Sequence, residues 1–423
     1  MPGSPAPSHA AETPIDPPLA AALAGLDASG AAMVARTLAW SAINSGSREL
    51  AGLKRMQAPL LDALAALPGE VGLAPLEETE RVSARGDIEA TAHAETLRLR
   101  VRPQAPIQVA LTGHYDTVFP ASHPFQTPVV RADGALHGPG VADMKGGIAV
   151  MLAALEAFEA TPQAGNVGYE VLLNPDEEIG SPASAPLLKA LGARAHVGMT
   201  YEPAMATGAL VSTRKGSGNY ALIVKGRAAH VGRAFGEGRN AVVAAAEAAL
   251  ALNALNAVRP DVTFNVGAID GGGAVNIVPD RGVLRLNVRA PDLDAQAWAE
   301  SEIGKIVRAL EAKEGLSVHL HGGFSRPPKP LSPALETLIG WTREAGAALG
   351  LSLQFGPSGG VCEGNNLAAA GCMNIDTLGP CGGALHSDQE FALPETFPER
   401  AKLSLLLLHG FASGRWDPRK LRA

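Results

Sequence analysis

The chain has 423 residues and a mass of 43.3 kDa, which at about 150 residues per domain predicts two or three domains with a large buried core and excludes a small stapled scaffold. Its 35 Lys and Arg against 42 Asp and Glu give a net charge of −7 without a long basic run, so we expect small-molecule partners rather than nucleic acid. Hydrophobic residues at 46% and charged residues at 18% are typical of a globular protein.

Cysteine usage and the N-terminal segment predict the compartment. The cysteines lie in one C-terminal stretch without the paired spacing of a zinc ribbon, so we expect reduced thiols at Cys362, Cys372 and Cys381. No Lys or Arg precedes Arg36, which is unlike a secretory signal, and this predicts a cytoplasmic enzyme. Apolar runs such as residues 403–408 fall far below the roughly 18–20 residues of a membrane helix, so no span is expected.

Apolar spacing predicts the elements of the first half of the chain. Residues 1–15 are expected to be disordered. Helices are predicted at residues 18–26, 31–45, 48–67 and 146–160, and strands at residues 95–101, 108–111, 169–173 and 196–201. This alternation predicts an α/β domain with a mostly parallel sheet covered on both faces.

Residues 213–326 have a different order of elements. The pattern predicts strand 220–226, helix 240–256, strands 263–270 and 282–290, helix 294–314 and strand 316–321. This β-α-β-β-α-β order is a complete ferredoxin-like unit, which we interpret as an inserted second domain. Helix 333–349, strand 351–355 and helix 398–410 are expected to complete the first domain, which then comprises residues 16–212 and 327–423.

The first candidate functional residues follow a predicted strand. His114 and Asp116 are two residues apart, so extended geometry places both side chains on one face. At the carboxyl end of a parallel strand the pair suits a metal-ligating imidazole oriented by a carboxylate. The alternative is a capping Asp beside an ordinary surface His.

Asp143 lies in a glycine-rich segment directly before the helix at residues 146–160. The glycines permit close approach of another group to its carboxylate. A dinucleotide loop is a rival interpretation, although Pro139 and Val141 interrupt its fingerprint. An N-cap role also remains open and is compatible with metal binding.

Further acids and a histidine complete the candidate set. Glu177 and Glu178 follow one predicted strand, Glu202 follows another, and His386 lies near the C-terminus. A solvated acidic turn is the alternative, but clustered acids are better tolerated when cations neutralise them. Together these residues suit two Zn²⁺ ions about 3.5–4 Å apart, with Co²⁺ or Mn²⁺ as other possibilities, and one Glu left for acid–base work. The expected reaction is hydrolysis.

The segments GHYDTV, GPGVADMKGG, DEEIGS and ALHSD, with a lone Glu after the next strand, occur in a family-specific order. From about residue 31 onward the chain resembles the co-catalytic zinc aminoacylase/carboxypeptidase family, which includes glutamate carboxypeptidase, acetylornithine deacetylase and succinyl-diaminopimelate desuccinylase. The resemblance implies a zinc-peptidase domain with an inserted dimerisation domain, a homodimer, and a cis peptide bond between Asp143 and Met144.

The resemblance also implies roles for single residues. The implied zinc ligands are His114, Asp143 and Glu202 for one ion and Asp143, Glu178 and His386 for the other. Glu177 would be the general base, and Asp116 would orient His114. In the insertion, His230 would reach the neighbouring subunit's site as an oxyanion donor, while Asn276 and Arg289, helped by Arg326, would hold a substrate carboxylate. A surface role for His230 is the alternative.

Some positions depart from the family pattern or leave their role open. Cys362 and Glu363 stand where many relatives have Thr and Asp, and Pro139 replaces an Arg, so these departures affect the pocket while the metal ligands are retained. Lys215 could favour an acidic substrate side chain or be a surface residue near the hinge.

Two rival functions differ in class from this interpretation. Ser358 fits a nucleophile elbow and precedes Asp376 and His386, as in a serine hydrolase, but the chain after Ser358 is short for such a fold. A non-catalytic metal-binding relative would be expected to lack a ligand or the base, and all are present. We therefore predict a di-zinc hydrolase that cleaves an amide bond next to a free carboxylate, as a carboxypeptidase, dipeptidase or N-acyl amino acid amidohydrolase.

Overall fold

The computed structural model describes residues 16–422. The helices are α1 (Pro17–Ala28), α2 (Gly30–Ser41), α3 (Leu50–Leu64), α4 (Lys145–Glu159), α5 (Ala185–Arg194), α6 (Val231–Ala234), α7 (Ala241–Val258), α8 (Leu293–Glu311), α9 (Pro333–Ala348), α10 (Glu363–Ala369) and α11 (Thr396–Ala412). The strands are β1 (Glu70–Ala74), β2 (Thr79–Val82), β3 (Ile88–Thr91), β4 (Thr96–Val101), β5 (Ile107–His114), β6 (Val129–Val130), β7 (Leu136–His137), β8 (Val167–Asn174), β9 (Val197–Thr200), β10 (Ala204–Met205), β11 (Leu210–Arg214), β12 (Gly216–Lys225), β13 (Ala229–His230), β14 (Thr263–Gly271), β15 (Ile277–Val278), β16 (Arg281–Ala290), β17 (Ser317–Arg326), β18 (Phe355–Ser358), β19 (Asn374–Ile375), β20 (Cys381–Gly383) and β21 (Phe391–Ala392).

A central sheet with the strand order β1-β4-β8-β5-β9-β19 forms the first domain. The pairs from β8 to β19 are parallel, while β4 runs antiparallel to β8 and β1 antiparallel to β4. Helices cover both faces: Leu111 and Leu173 point into the core built with α4 and α11, whereas Ala110 and Leu172 contact α5 and α10. The predicted α/β class with a mostly parallel sheet is confirmed.

Two expectations for this domain are wrong: the strand at residues 351–355 and its place in the central sheet. Residues 351–354 are not a strand, and β18, which begins at residue 355, pairs with β11 outside the central sheet. The edge of the sheet is instead β19, which pairs with β9 and is too short to give an apolar pattern. The expected disorder of residues 1–15 lies outside the described residues.

The insertion, which we call the lid (residues 216–326), contains a four-stranded antiparallel sheet in the order β14-β16-β12-β17. This order, with α7 and α8 on one face, is the ferredoxin-like fold expected from the sequence. Helix α7 is long and apolar enough to cross a membrane by composition alone, but its residues Ala244, Ala248 and Leu252 are buried against the lid sheet. It therefore forms part of the lid core.

A hairpin of the first domain, β2–β3, which we call the strap (residues 79–91), packs on the other face of the lid sheet. Val82 of the strap is buried against Ala221, Ile223 and Val283. Arg285 Nη2 donates hydrogen bonds to the Val82 and Ser83 carbonyl oxygens at 3.0 and 2.9 Å. The strap therefore ties the lid to the first domain.

The chain enters and leaves the lid side by side. Arg214 and Lys329 exchange backbone hydrogen bonds of 3.0 Å. Beneath them Asp376 is buried in an ion pair with Arg214, and Lys329 Nζ lies 3.9 Å from Asp376 Oδ2. This paired crossing is the hinge of the lid.

Candidate metal centre

The candidate site forms at the carboxyl edge of the central sheet. Strand β5 ends at His114, β8 leads into the 3₁₀ turn Glu177–Ile179, and Glu202 follows β9. Because these strands are parallel neighbours, their carboxyl ends meet at one edge. Asp143 reaches the same edge from the loop before α4, and His386 reaches it from the turn after β20.

His114 is fully buried, and both ring nitrogens face acids. Nε2 lies 3.1 Å from Asp143 Oδ1 and 3.8 Å from Glu202 Oε1. Nδ1 lies 3.1 Å from the Asp116 carbonyl oxygen and 3.3 Å from its Oδ1. Although burial opposes it, hydrogen bonds to Asp116 and Asp143 raise the pKa of His114 well above its usual value. Asp116 thus orients the ring and leaves Nε2 facing the centre.

Asp116 also positions the acidic turn. Its Oδ1 and Oδ2 accept hydrogen bonds of 3.1 Å from the backbone N–H groups of Glu177 and Glu178. Ser47 Oγ donates a further bond of 2.7 Å to Oδ2. One buried carboxylate therefore fixes the imidazole of His114 and the backbone of both glutamates.

Asp143 lies between the two histidines. Its Oδ1 is 3.1 Å from His114 Nε2 and its Oδ2 is 3.4 Å from His386 Nε2. Burial acts against ionisation, but hydrogen bonds from both histidines lower the pKa of Asp143. The Asp143–Met144 peptide bond is cis, as the resemblance implied. One oxygen toward each side is the arrangement required of a bridging carboxylate.

The loop that carries Asp143 is held by Glu390, a residue that the sequence analysis missed. Glu390 is buried, and its Oε1 accepts hydrogen bonds of 3.0 Å from the backbone N–H groups of Ala142 and Asp143. Its Oε2 accepts another of 3.1 Å from Gly140. No spacing signal marks Glu390, because its partners are backbone groups about 250 residues earlier in the chain.

Glu178 and His386 form the second half of the centre. Glu178 Oε2 lies 3.1 Å from His386 Nε2. Burial, and then the charge of Asp143, raise the pKa of Glu178 to about 8. Hydrogen bonds to Asp143 and Glu178 raise the pKa of His386 to about 11. Without a cation, Glu178 therefore keeps a proton at neutral pH and is uncharged, and His386 keeps a proton and is positive. As ligands of a cation both residues would be deprotonated.

The donor atoms of these residues fit divalent cations. Within each of two groups, the ligand atoms lie within 4.8 Å of one another: His114, Asp143 and Glu202, and Asp143, Glu178 and His386. Among residues 16–422, Glu202 Oε1 is buried without a hydrogen-bond partner, and burial followed by the Asp143 charge raises the pKa of Glu202 well above its usual value. An orphaned oxygen beside imidazole and carboxylate donors suits Zn²⁺ or a similar ion.

Arg326, expected at a substrate carboxylate, contacts the candidate base and lines the cleft above the metal centre. Its Nη1 lies 2.7 Å from Glu177 Oε1, and its Nη2 donates bonds of 2.7 Å to the Glu177 carbonyl oxygen and to Ser181 Oγ. Burial raises the pKa of Glu177, while the charge of Arg326 lowers it. The structure therefore places Arg326 on the candidate base, because the last residue of β17 lies directly beside the acidic turn.

Glu363, at one of the departures from the family pattern, joins this region. Its Oε1 accepts a hydrogen bond of 3.2 Å from Asn174 Nδ2, and its Oε2 is buried without a partner among the described residues. Ligand oxygens of Glu177, Glu202 and Glu363 lie within 4.8 Å of one another. The neighbouring Cys362 instead caps α10 and donates to Asp376 at 3.3 Å.

The residues predicted on the lid fall into two places. Arg289 lines the cleft above the metal centre, and its Nη1 is buried without a partner within residues 16–422. His230 and Asn276 lie together at the β13–β15 ladder, where Val231 N donates to the Asn276 carbonyl oxygen at 3.0 Å, and neither lines this cleft. Lys215 Nζ donates to the Asp261 carbonyl oxygen at 2.6 Å, on the hinge surface.

The geometry excludes the serine-hydrolase alternative. Ser358 Oγ accepts a hydrogen bond from Gly360 N at 3.1 Å and has no recorded bond to a histidine in the described part of the chain. Asp376 pairs with Arg214, while His386 faces acids of the metal centre. A triad of Ser358, His386 and Asp376 is therefore not formed.

The residues of the centre open into a cleft of about 710 Å³ between the first domain and the lid, which we call the metal cleft. Its lining combines metal-centre acids with cations that face them from the lid. The lining includes Asp143, Glu177, Glu178, Glu202, Arg289, Arg326 and His386. A cavity of this size accommodates a small peptide or an acylated amino acid.

Comparisons with known proteins agree with this arrangement. Residues 110–409 match the model of peptidase family M20/M25/M40. The chain is 30% identical over 305 residues to a succinyl-diaminopimelate desuccinylase of Verminephrobacter eiseniae, covering 67% of this chain and 74% of that protein. It is 27% identical over 325 residues to carboxypeptidase G2 of a Pseudomonas species, covering 75% and 77%.

Solved structures share the fold. A tripeptidase from Staphylococcus aureus superposes with a TM-score of 0.69 at 22% identity, covering 91% of this chain and 99% of that one. A metallo-carboxypeptidase from Sulfolobus solfataricus gives 0.69 at 16% identity, covering 90% and 99%. With the family match and the metal-ligand geometry, the protein is a metal-dependent amide or peptide hydrolase. The chain belongs to peptidase family M20/M25/M40.

Proposed function

We propose that the protein hydrolyses an amide bond next to a free carboxylate, releasing an amino acid from a peptide or from an N-acyl amino acid. The observation that carries the proposal is Asp143, which turns one carboxylate oxygen toward each of two histidines. The names of similar proteins, a desuccinylase and a carboxypeptidase, support a substrate of this class.

Two divalent ions, with zinc as the first candidate, would be held by the two groups of donors that share Asp143. The first group adds His114 and Glu202, and the second adds Glu178 and His386. When bound, such ions supply Lewis acidity toward a carbonyl oxygen and toward water. Co²⁺ and Mn²⁺ suit the same donors.

Glu177 is the proposed general base. It lies beside the centre with its backbone N–H fixed by Asp116 and its Oε1 held 2.7 Å from Arg326 Nη1. In this position Glu177 would take the proton of the attacking water and deliver it to the departing amine. Burial raises the pKa of its carboxyl and thus favours proton uptake.

Arg289 is the proposed partner of the substrate carboxylate. Its unpartnered, buried Nη1 and its position in the lining of the metal cleft support this role. A planar guanidinium matches the two oxygens of a carboxylate. Arg326 contacts Glu177 through Nη1 and Nη2, while its Nε is buried without a partner among residues 16–422, and we expect it to help hold the same carboxylate.

A homodimer would explain the two lid residues that lie outside the cleft of their own chain. We propose that His230 serves a neighbouring subunit's site as an oxyanion donor and that Asn276, next to it, helps to hold substrate there. Support comes from the exposed apolar side chains of α7 and of the segment around Asn276: Val243, Leu250, Val258, Val275 and Ile277. The division into a first domain (residues 16–212 and 327–423) and an inserted domain (213–326), which comprises the lid and the three residues before it, belongs to the same proposal.

The test is a panel of dipeptides, N-acyl amino acids and acylated glutamates, assayed with and without a chelator. We expect hydrolysis that the chelator removes and added Zn²⁺ restores. Glu177→Gln is expected to lower kcat by at least about 10³-fold while metal content stays near that of the unaltered protein. Glu336→Gln, an exposed change on α9, is the matched control.

Two results would contradict the proposal. Full activity in Glu177→Gln would remove the assigned base. Two bound ions without turnover of any substrate in the panel would favour a metal-binding protein that is not an enzyme of this class.

A further inference from the structure

A second cavity adjoins the metal cleft and has no part in the proposed chemistry. This distal cavity, of about 480 Å³, lies between the strap and the face of the lid sheet. The two cavities share the lining residues Arg48, Ile179, Gly180, Asn219 and Asn287, so they adjoin each other. A substrate bound at the metal centre that passes these residues would extend into the distal cavity.

The lid side of the distal cavity carries a row of amide side chains, Asn219, Asn265 and Asn287, which we call the amide row. The row is in register, because Asn287 pairs with Asn219 on β12 and with Asn265 on β14. Side chains at paired positions of adjacent strands lie on the same face of a sheet. The row therefore crosses three strands from the metal cleft into the distal cavity.

Internal hydrogen bonds orient the row and leave donors and acceptors free. Arg289 Nε donates to Asn287 Oδ1 at 2.9 Å, and Asn287 Nδ2 donates to Asn219 Oδ1 at 2.7 Å. Within residues 16–422, Asn219 Nδ2 and the side chain of Asn265 make no hydrogen bond. Oriented amides with free donors and acceptors complement the alternating N–H and C=O groups of an extended peptide.

The lining of the distal cavity has more basic than acidic side chains, although the whole chain has a net negative charge. Its ionisable lining residues are Arg48, Arg81, Arg285, His93 and His321 against Glu80. Arg81 pairs with Glu89 and Arg285 with Asp270, whereas Arg48 has no recorded ion pair or hydrogen bond in the described part of the chain. Arg48 also lies at the border of both cavities and is exposed to them. A free cation at this position selects an anionic group.

We propose that the amide row and Arg48 form a subsite for the acyl side of the substrate, and that this side is an acidic peptide segment whose carboxylate pairs with Arg48. The inference rests on the proposed function and names the substrate class within it. Backbone groups of the segment bond to Asn219 and Asn265, and the residue just before the scissile bond carries the acidic side chain.

The test measures binding without turnover. Ligands are acetyl-Glu-X and acetyl-Gln-X in which a ketomethylene group replaces the scissile amide, with X taken across the amino acids of the hydrolysis panel. We expect the metal-loaded protein to bind the Glu ligand about tenfold more tightly than the Gln ligand by titration calorimetry. Arg48→Gln is expected to bring this ratio to about one. Arg55→Gln, an exposed change on α3, which begins two residues after Arg48, lines neither cavity and is expected to leave the ratio as it is.

The amide row has its own measurement. Asn265→Ala is expected to weaken binding of the longer acetyl-Gly-Glu-X ligand by about threefold to fivefold, the loss of one hydrogen bond. Asn253→Ala, exposed on α7, is the control. Equal affinity for the Glu and Gln ligands, or a preference that survives Arg48→Gln, would overturn the subsite. Preferential binding with no cleavage of the corresponding peptides would keep the subsite and contradict the proposed function.

Discussion

Single buried carboxylates position the metal centre from outside it. Asp116 joins the imidazole of His114 to the backbone of the acidic turn, and Glu390 joins three backbone N–H groups of the loop that carries Asp143. Both act on backbone or ring orientation, so both fix where ligand atoms lie before an ion arrives. Outer partners of this kind tune metal affinity without touching the metal.

Glu390 allows a direct test of this positioning role. In Glu390→Gln one carboxylate oxygen becomes an NH₂ group, which cannot accept a hydrogen bond from Gly140 or from Asp143. We expect zinc affinity to fall by about tenfold or more while the fold is retained, measured by competition with a chromophoric chelator and by circular dichroism. Glu395→Gln, exposed nearby, is the control, and equal affinities in the two variants would contradict the role.

At this scale the sequence predicted the candidate ligands and the supporting Asp116, and it missed Glu390. His114, Glu177 and Glu202 follow strands, so position along the chain was enough to predict that they would meet at one sheet edge. The contact of Arg326 with Glu177 depends on how the last lid strand returns beside the acidic turn, which no local pattern encodes. The sequence did not predict this contact for that reason, and the role of Arg326 at the substrate carboxylate stays a prediction.

Among elements, the strap has the least expected role. It is a polar, mostly exposed hairpin, and Val82 is its buried side chain. Because Val82 contacts Ala221, Ile223 and Val283 of the lid, its packing contributes to the joint between the two domains rather than to either core. The strap also forms one wall of the distal cavity.

Val82→Ala tests the strength of that joint. The loss of buried methyl groups is expected to lower the free energy of unfolding by about 1–2 kcal/mol, measured by urea denaturation. Val129→Ala removes the same atoms from a side chain that is 46% exposed and should cost less than about 0.5 kcal/mol. An equal, small cost for both variants would show that the strap does not stabilise the lid.

Helices and strands could be predicted where the burial of their side chains gives a regular hydrophobic pattern in the sequence. All residues of β8 are buried, α7 is almost continuously apolar, and α8 follows the 3.6-residue spacing, so these elements and their order were recognised. The strap alternates polar and charged residues, and β19 has two residues, so neither gives a hydrophobic period. The strand expected at residues 351–355 is absent from the central sheet because Leu351 and Leu353 pack into the core of the first domain without strand pairing, and Phe355 begins β18, which pairs with β11.

Across the whole molecule, the buried acids link stability to pH and to metal. Burial, aided by neighbouring acids, raises the pKa of Glu178 to about 8 and the pKa values of Glu363 and Glu390 to about 7. A carboxyl group with a raised folded pKa contributes stability that is complete below its unfolded pKa and is lost as pH rises through the folded value. His386, with a pKa raised to about 11, also contributes stability that is lost as pH rises above its pKa in the unfolded chain.

We therefore expect the chelated protein to lose at least about 5 °C of Tm between about pH 5.5 and pH 8, measured by differential scanning calorimetry. The contribution of Lys145 to stability instead rises with pH above about 7, because burial lowers its pKa in the folded state to about 7. With Zn²⁺ bound the decrease should be smaller or reversed, since cations favour the deprotonated ligands. A Tm that rises with pH in chelator would contradict the assigned shifts.

The paired crossing at Arg214 and Lys329 has a consequence for how the molecule can be rearranged. Because the two chain segments lie hydrogen-bonded to each other, the first domain could be closed by a short turn in place of the lid, and the excised lid would have neighbouring ends that a brief linker could join. Such a module could be transplanted between relatives, carrying its amide row with it while the catalytic acids remain on the recipient.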